Sequence, residues 1–198
     1  MSLPRDYLGY LAPELVKRVE RSGKIAFQDA AAVEENMRGV FQEDMDRDDQ
    51  LNQEVRAYLE KYTEQIRKDS LSYQEMYKLV KKELMRKYKM TSSGRRDEDG
   101  GRLSRDKMIE LSHLLVHALA ALQPAVEFRD EPNEVRLVLM QEMQKLVRVE
   151  HQLDLAVRKK ITSQKREITE QSEEWDILFR KYYTDELKKL GVDMSSPG

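Results

Sequence analysis

Glu110, His113 and His117 form the arrangement in this sequence that comes closest to a metal site. Spacings of three and four place all three side chains on one face of a helix, as a set of zinc ligands would need. That face lies opposite an apolar stripe of the same segment, and no other segment supplies an evident fourth ligand. The stripe consists of Met108, Leu111, Leu115 and Ala118. We therefore interpret the three residues as solvated and predict no metal site.

Motifs that support catalysis are missing from the sequence. It has no Gly-rich phosphate loop, no His-Glu-x-x-His zinc motif, no Gly-x-Ser-x-Gly nucleophile elbow and no cysteine. Carboxylates are abundant, but acidic residues at helical spacing usually form a hydrated face, so no pair stands out as acid and base. The sequence predicts no catalytic residues, no cofactor and no enzyme.

A basic segment in the second half is the candidate binding patch. It comprises Arg158, Lys159, Lys160, Lys165 and Arg166. A phosphate backbone could use such a stripe. The alternative is that these side chains are solvated helix faces paired with nearby glutamates. The formal net charge of -2 favours the alternative, because nucleic-acid-binding domains are usually strongly basic.

A second basic cluster and a set of aromatic residues could each belong to a binding site or to the ordinary structure of a helix. A second basic cluster runs from Lys81 to Lys89, and we interpret it in the same way as the first. Trp175, Phe179, Tyr182 and Tyr183 could form a binding platform, but aromatic residues at helical spacing more often belong to a core. The sequence therefore favours solvated basic faces and a buried aromatic stripe.

An internal repeat organises the elements that carry these residues. At an offset of 100 that drifts to 103, residues 3–6 match residues 103–106, and residues 50–56 match residues 152–158. A Gly- and charge-rich stretch between the copies has no apolar residue from Ser92 to Gly101. The sequence predicts a first helical module over 1–90, a flexible linker over 91–101, a second module over 102–191 and a disordered tail over 192–198.

Apolar periodicity predicts three helices in each copy, and an all-α fold. Each module has one long central helix, which in the second copy runs from near Asn133 to near Arg166. Ser104 is predicted to cap the helix before it, and Gly23 to end the matching helix of the first copy. Residues 24–27 and 125–128 are predicted to be extended segments that pack one Phe inward without forming a real sheet.

One charge difference between the copies predicts a contact. Residues 43–49 of the first long helix are mainly acidic, whereas the second has Lys145, Arg148 and His151 in the same region. If the long helices cross near their midpoints, these stretches would attract one another.

The composition favours a helical, cytoplasmic protein. Charged residues make up 36% of the chain and hydrophobic residues 39%, while Gly (8) and Pro (5) are scarce. The absence of cysteine suits a reducing compartment. The N-terminus resembles no secretory signal, and no apolar run approaches the roughly 18 residues that a membrane span needs.

The second copy resembles the bacterial family called domain of unknown function 507. The resemblance depends on residues 102–107, Asn133-Glu134-Val135-Arg136, Ser163-Gln164-Lys165-Arg166, Glu174-Trp175-Asp176 and Lys181-Tyr182-Tyr183. The first copy is a looser match, with Tyr73 in place of Trp175. The resemblance implies a bacterial protein of two tandem modules, and it implies no activity, substrate or cofactor.

These observations predict a non-catalytic helical protein that acts as an interaction or scaffold module for an unknown protein partner. The alternative is an RNA- or DNA-associated protein that uses the basic patch. Exposed apolar stripes on long helices also leave room for a homo-oligomer.

Overall fold

The computed structural model describes residues 3–68, 72–91, 102–164, 166, 168–170 and 172–192. Most of the predicted linker and most of the predicted tail lie outside these residues. The module boundaries drawn from the sequence therefore stay predictions.

Both halves of the chain run in the order helix, strand, long helix and final helix, and the first half has a short additional helix before its final one. Among the described residues the second half has the predicted three α-helices, whereas the first half has four. The first half contains α1 (Leu8–Arg21), β1 (Ile25–Phe27), α2 (Ala30–Glu60), α3 (Thr63–Lys68) and α4 (Tyr73–Lys87). The second half contains α5 (Arg105–Ala120), β2 (Val126–Phe128), α6 (Pro132–Thr162) and α7 (Glu173–Lys189). The fold is predominantly helical, and α2 and α6 are the long helices, each of 31 residues.

Local capping chemistry fixes several helix ends. Ser104 and Ser172 precede α5 and α7, and each hydroxyl accepts a hydrogen bond from the backbone N–H three residues on, at 3.2 Å. The cap at Ser104 confirms the prediction. Gly23 follows the end of α1 with a φ of 73°, a conformation that glycine adopts without strain. Pro13 lies inside α1 and does not begin it.

The two extended segments form a small sheet, so the prediction of no real sheet was wrong. β1 and β2 pair antiparallel, with Ala26 opposite Glu127. The two strands are about a hundred residues apart in the sequence, and each is too short to indicate its partner. Ile25 and Val126 are buried in the core. Phe27 and Phe128 are half-buried and pack against the same core, so the prediction of an inward Phe is confirmed in part.

The largest hydrophobic core is shared by the two halves. Helix α1 packs against α6, and α2 packs against α5, in addition to the contacts within each half. Buried residues from both halves, such as Leu11 and Met143, belong to one cluster. The Tyr7 hydroxyl also donates a buried hydrogen bond of 2.7 Å to the carbonyl oxygen of Leu146. The halves therefore pack as one unit, a question that the sequence left open.

Candidate interaction surface

Helices α4 and α7 are the final helices of their halves, but they are buried to different extents. Trp175, Tyr183 and Leu187 anchor α7 in the large core. All fifteen residues of α4 are described, and none of them is buried. The predicted core role of the aromatic stripe is thus confirmed for Trp175 and Tyr183. Helix α4, which has the corresponding place in the first half, contributes no such buried residue.

A small apolar cluster and a few polar contacts hold α4 against α2. Val55 and Leu59 of α2 are buried, and they contact one half-buried face of α4. That face consists of Met76, Tyr77, Val80 and Leu84. The side-chain oxygen Oδ1 of Asn52 accepts hydrogen bonds from the Tyr77 hydroxyl at 2.9 Å and from Lys81 Nζ at 2.7 Å. Nine of the fifteen residues of α4 are exposed, and the other six are half-buried.

Exposed apolar and aromatic residues collect on and beside α4, and we call this set the α4 surface. It consists of Tyr58, Tyr62, Tyr73, Leu79 and Tyr88, which are between 44% and 59% exposed. The rings of Tyr58 and Tyr62 lie with centroids 5.1 Å apart. Single exposed apolar residues are ordinary on a protein surface, but a collection of them on one part of a molecule marks an interaction site.

A groove of about 420 Å³ runs along one side of α4. We call it the α4 groove. It is lined by Tyr77, Lys78, Lys81, Lys82, Met85, Arg86 and Met90. Four of these side chains are basic and none is acidic, while methionine and tyrosine supply the apolar part. Lys81 is 3.3 Å from Asp48, and Arg86 is 2.8 Å from Glu83.

A second groove of about 370 Å³ adjoins the first at Met90. It is lined by Arg47, Gln50, Leu51, Glu54, Tyr88 and Met90. The Tyr88 hydroxyl donates a 2.7 Å hydrogen bond to Glu54 and so ties the end of α4 to α2. The two grooves together give the α4 region a concave surface that carries both charge and apolar area.

A buried cluster of charges lies in the second half. Arg102 is 2.9 Å from Glu150 and 2.5 Å from Asp154, and the two carboxylates are 0% and 1% exposed. The Tyr183 hydroxyl donates a hydrogen bond of 3.2 Å to Glu150. Arg158 contacts the second oxygen of Asp154 at 2.8 Å. These contacts join α6, α7 and the segment before α5.

The charges in this cluster control the pKa of Asp154. Burial alone would raise the pKa of this carboxyl. Hydrogen bonds and positive charge from Arg158 and Arg102 outweigh burial and hold the pKa below its ordinary value. Glu150 lies between Tyr7 and Tyr183, and burial raises the pKa of both phenols. Asp154 therefore stays ionised in the folded protein.

The structure separates the predicted basic patch into paired and exposed residues. Arg158 pairs with Asp154 and Glu170, and Arg166 pairs with Glu174. Lys160 Nζ lies 4.3 Å from the centre of the Tyr182 ring, and Lys159 is exposed. Lys165 lies outside the described residues. The arginines thus have the acidic partners that the structural interpretation expects.

The acidic stretch of the first long helix forms ion pairs with residues outside the second long helix. Carboxylates at four positions in residues 43–49 pair with Lys107, Arg5 and Lys81, none of which lies on α6. The strongest candidate among these pairs for a structural role is Asp44 with Lys107, because both side chains are largely buried. Burial raises the pKa of Asp44, and the hydrogen bond from Lys107 opposes that shift. This pair connects α2 to α5 across the two halves.

The Glu110, His113 and His117 face carries no metal-like arrangement. Glu110 contacts Lys107 at 3.2 Å. His117 lines a small cavity of about 170 Å³ beside Glu43 and Asp44. Across the described ranges, no group of three or more His, Cys, Asp and Glu residues is placed to hold a metal ion.

Comparison with protein families identifies where this chain belongs. The family model described as "Protein of unknown function (DUF507)" matches residues 1–192. The chain belongs to the DUF507 family. The match is a single one that runs through both halves, in agreement with their shared core. No curated protein matches the chain. No described helix of this DUF507 protein is long and apolar enough to cross a membrane.

Sequence reasoning missed two features of this DUF507 protein. The buried carboxylates were assigned to hydrated faces, yet Glu150 and Asp154 continue the apolar stripe of α6 at spacings of four from Leu146. That spacing is the signal that could have revealed them. The α4 groove includes residues of the second basic cluster, which the sequence analysis interpreted as a solvated face and not as a binding site.

Proposed function

We propose that this DUF507 protein is a non-catalytic interaction protein that docks a protein partner on the α4 surface. One observation carries the proposal: α4 contributes no buried residue, whereas α7 in the same position of the other half contributes three. A helix that contributes no buried residue, and that has exposed tyrosines on it and beside it, can bury additional apolar area by packing against a partner. Tyrosine is also enriched at protein interfaces.

The chemistry of the described polar groups is the reason for proposing a non-catalytic role. The buried polar groups form a closed charge cluster, and the two grooves at α4 have no histidine in their linings. A general acid or base needs a proton-transfer group within hydrogen-bond reach of a substrate. We place the protein in the cytoplasm, because a chain of 198 residues without cysteine suits a reducing compartment.

We also propose that the two halves arose by tandem duplication. The register of the strands supports this, because Ile25 pairs with Phe128 and Phe27 pairs with Val126. At the repeat offset of 101, Ile25 corresponds to Val126 and Phe27 to Phe128. The pairing is therefore symmetric about Ala26 and Glu127. Such a local twofold arrangement is expected when two copies of one unit pack together.

The test of the docking surface places a photo-crosslinking amino acid at Leu79 of α4. Its matched control places the same amino acid at Ile177 of α7, since Leu79 is 59% exposed and Ile177 is 62% exposed. After irradiation in a lysate of the source cells, we expect a defined protein adduct from position 79 that resists nuclease. We expect none of this adduct from position 177. Equal labelling from both positions would overturn the assignment of the surface.

The nucleic-acid alternative is tested in the same experiment with the crosslinker at Lys159. An adduct from position 159 that disappears after nuclease treatment would favour this alternative. High salt should then abolish the binding, because phosphate contacts release counterions.

A further inference from the structure

The α4 groove has a charge that sets it apart from the corresponding part of the second half. Helix α4 contains five basic and two acidic residues. Helix α7 contains four basic and five acidic residues. The formal charges are thus +3 and -1. The two helices occupy corresponding places in their halves. The positive charge of α4 is therefore a property of this helix and is not shared by the equivalent helix of the second half.

The basic side chains of the groove form a row. Lys78, Lys82 and Arg86 follow one another at intervals of four residues, and all three are exposed. Residues at this interval lie one above another on a helix, and the row covers about 12 Å of the helix axis. Arg86 has only an exposed pairing with Glu83. Among the described residues, no ion pair involves Lys78 or Lys82. The row is therefore available to carboxylates from outside the molecule.

An apolar floor lies beside this row. Tyr77, Met85 and Met90 are each half-buried and line the same groove. Methionine is flexible and polarisable, so a floor of this kind adapts to the apolar side chains of a ligand. A ligand that satisfies both features has carboxylates along one edge and apolar residues along the next. An amphipathic helix with acidic residues four apart has this pattern.

We propose that the α4 groove binds an acidic amphipathic helix of a partner protein. This inference rests on the proposed function and adds the chemical class of the partner. The ligand helix lies along α4, its apolar face on Met85 and Met90 and its carboxylates on Lys78, Lys82 and Arg86.

A protein helix fits the groove better than a nucleic acid does. The row of three cations is short, and the chain as a whole has a formal net charge of -2. Arg158 and Arg166 of the other basic segment already pair with acidic residues. A nucleic-acid site would need a longer basic track to follow a phosphate backbone.

The test measures fluorescence anisotropy of labelled peptides with the full-length chain. The probe is a synthetic helical peptide of leucine and glutamate, with the glutamates at intervals of four. Comparison probes are a scrambled peptide of the same composition, a version with lysine for glutamate, and a single-stranded RNA. The groove variant is Lys78→Glu with Lys82→Glu. The control is Lys181→Glu with Lys188→Glu, which reverses two exposed lysines of α7.

We expect the acidic helix to bind the parent chain more tightly than the scrambled peptide does. The groove variant should weaken this binding by roughly tenfold or more, because charge reversal places like charges against the ligand. The α7 control should change it by less than about twofold, since its lysines lie outside the groove. Far-UV circular dichroism and Trp175 fluorescence confirm that each variant is folded.

The other outcomes overturn the inference in distinguishable ways. Preferential binding of the lysine peptide through the groove would leave the docking surface in place but refute the acidic partner. Preferential binding of RNA, lost in the groove variant, would replace the helix with a nucleic acid. If no probe binds, the acidic-helix assignment fails, and the crosslink from Leu79 decides separately whether α4 docks a protein at all.

Discussion

The Tyr7 hydroxyl lies 2.7 Å from the carbonyl oxygen of Leu146 and donates a hydrogen bond to it across the interface between the halves. Tyr7 is 0% exposed, as is Leu146. A residue that precedes α1 is therefore bound to the middle of α6. Together with the ion pair of Asp44 and Lys107, this contact makes the stability of one half depend on the other.

Replacing Tyr7 with Phe tests this dependence. The substitution removes the hydroxyl but keeps the ring, so the free energy of unfolding should fall by about 1 kcal/mol. Trp175, the one tryptophan of the chain, lies in the second half and reports unfolding there. We expect the Trp175 fluorescence transition in denaturant to shift to lower concentration, with its slope unchanged.

The control for this measurement is Tyr10→Phe in the adjoining helix α1. Tyr10 is half-buried, and among the described residues its hydroxyl has no hydrogen-bond partner. A shift for Tyr7→Phe that is absent for Tyr10→Phe supports a single cooperative unit. An unshifted Trp175 transition in Tyr7→Phe, with a separate loss of structure in the first half, would show that the halves unfold independently.

The sequence could predict the local elements but not their partners. The serine cap at Ser104 and the stop at Gly23 depend on neighbouring residues, and both are found in the structure. Apolar periodicity shows which face of a helix is buried, but not which helix covers it. The pairing of α1 with α6, and of β1 with β2, connects segments that are about a hundred residues apart or more.

The same limit explains which site residues were missed. Asp154 is an acidic residue at helical spacing, so a hydrated face was the natural interpretation of it. Its burial depends on Arg102, a residue 52 positions away that folds back onto α6. The α4 groove depends on how little of α4 is covered by α2, which is a property of packing. The apolar periodicity of a sequence is the same whether or not another helix packs against the apolar face.

Replacing Arg102 with Met tests whether the buried charge cluster holds the second half together. The variant leaves the buried carboxylates of Glu150 and Asp154 without this arginine, and breaking such a pair typically costs about 3 to 5 kcal/mol. We expect a fall of this size in the free energy of unfolding, measured by chemical denaturation. Arg105→Met is the matched control. Arg105 is exposed, and its replacement should change the stability by less than about 0.5 kcal/mol.

A pH series on Asp154→Asn tests the electrostatic origin of that stability. The folded pKa of Asp154 lies below the ordinary value of 3.8. The ionised carboxylate therefore contributes stability that is fully present above this ordinary value and is lost as the pH falls through the folded pKa. We expect the parent to be more stable than the variant near neutral pH. The difference should shrink below pH 3.8.

The measurement is the free energy of unfolding of parent and variant, obtained by denaturant titration at several pH values. A difference that stays constant from neutral to acidic pH would show that Asp154 acts through packing and not through its charge.

Hydrogen exchange should distinguish α4 from α7. Local opening requires the loss of few buried contacts in α4, because its apolar support is limited to Val55 and Leu59. Opening of α7 requires the removal of Trp175 and Leu187 from the large core. Because exchange follows the free energy of local opening, the amides of α4 should exchange faster than those of α7. Mass spectrometry of peptides that cover the two helices measures this difference.

The same experiment relates the weak packing of α4 to its proposed role. The two helices have similar lengths, 15 and 17 residues, and each begins with a serine cap, so neither feature accounts for a large difference in protection. Replacing Leu187 with Ala removes one anchor of α7 and should raise its exchange toward that of α4, at a cost of about 2 to 5 kcal/mol. If the acidic helical peptide binds as proposed, its addition should slow exchange in α4 and leave α7 unchanged. Equal protection of α4 and α7 in the free protein would contradict the view that α4 is held weakly enough to serve as a docking helix.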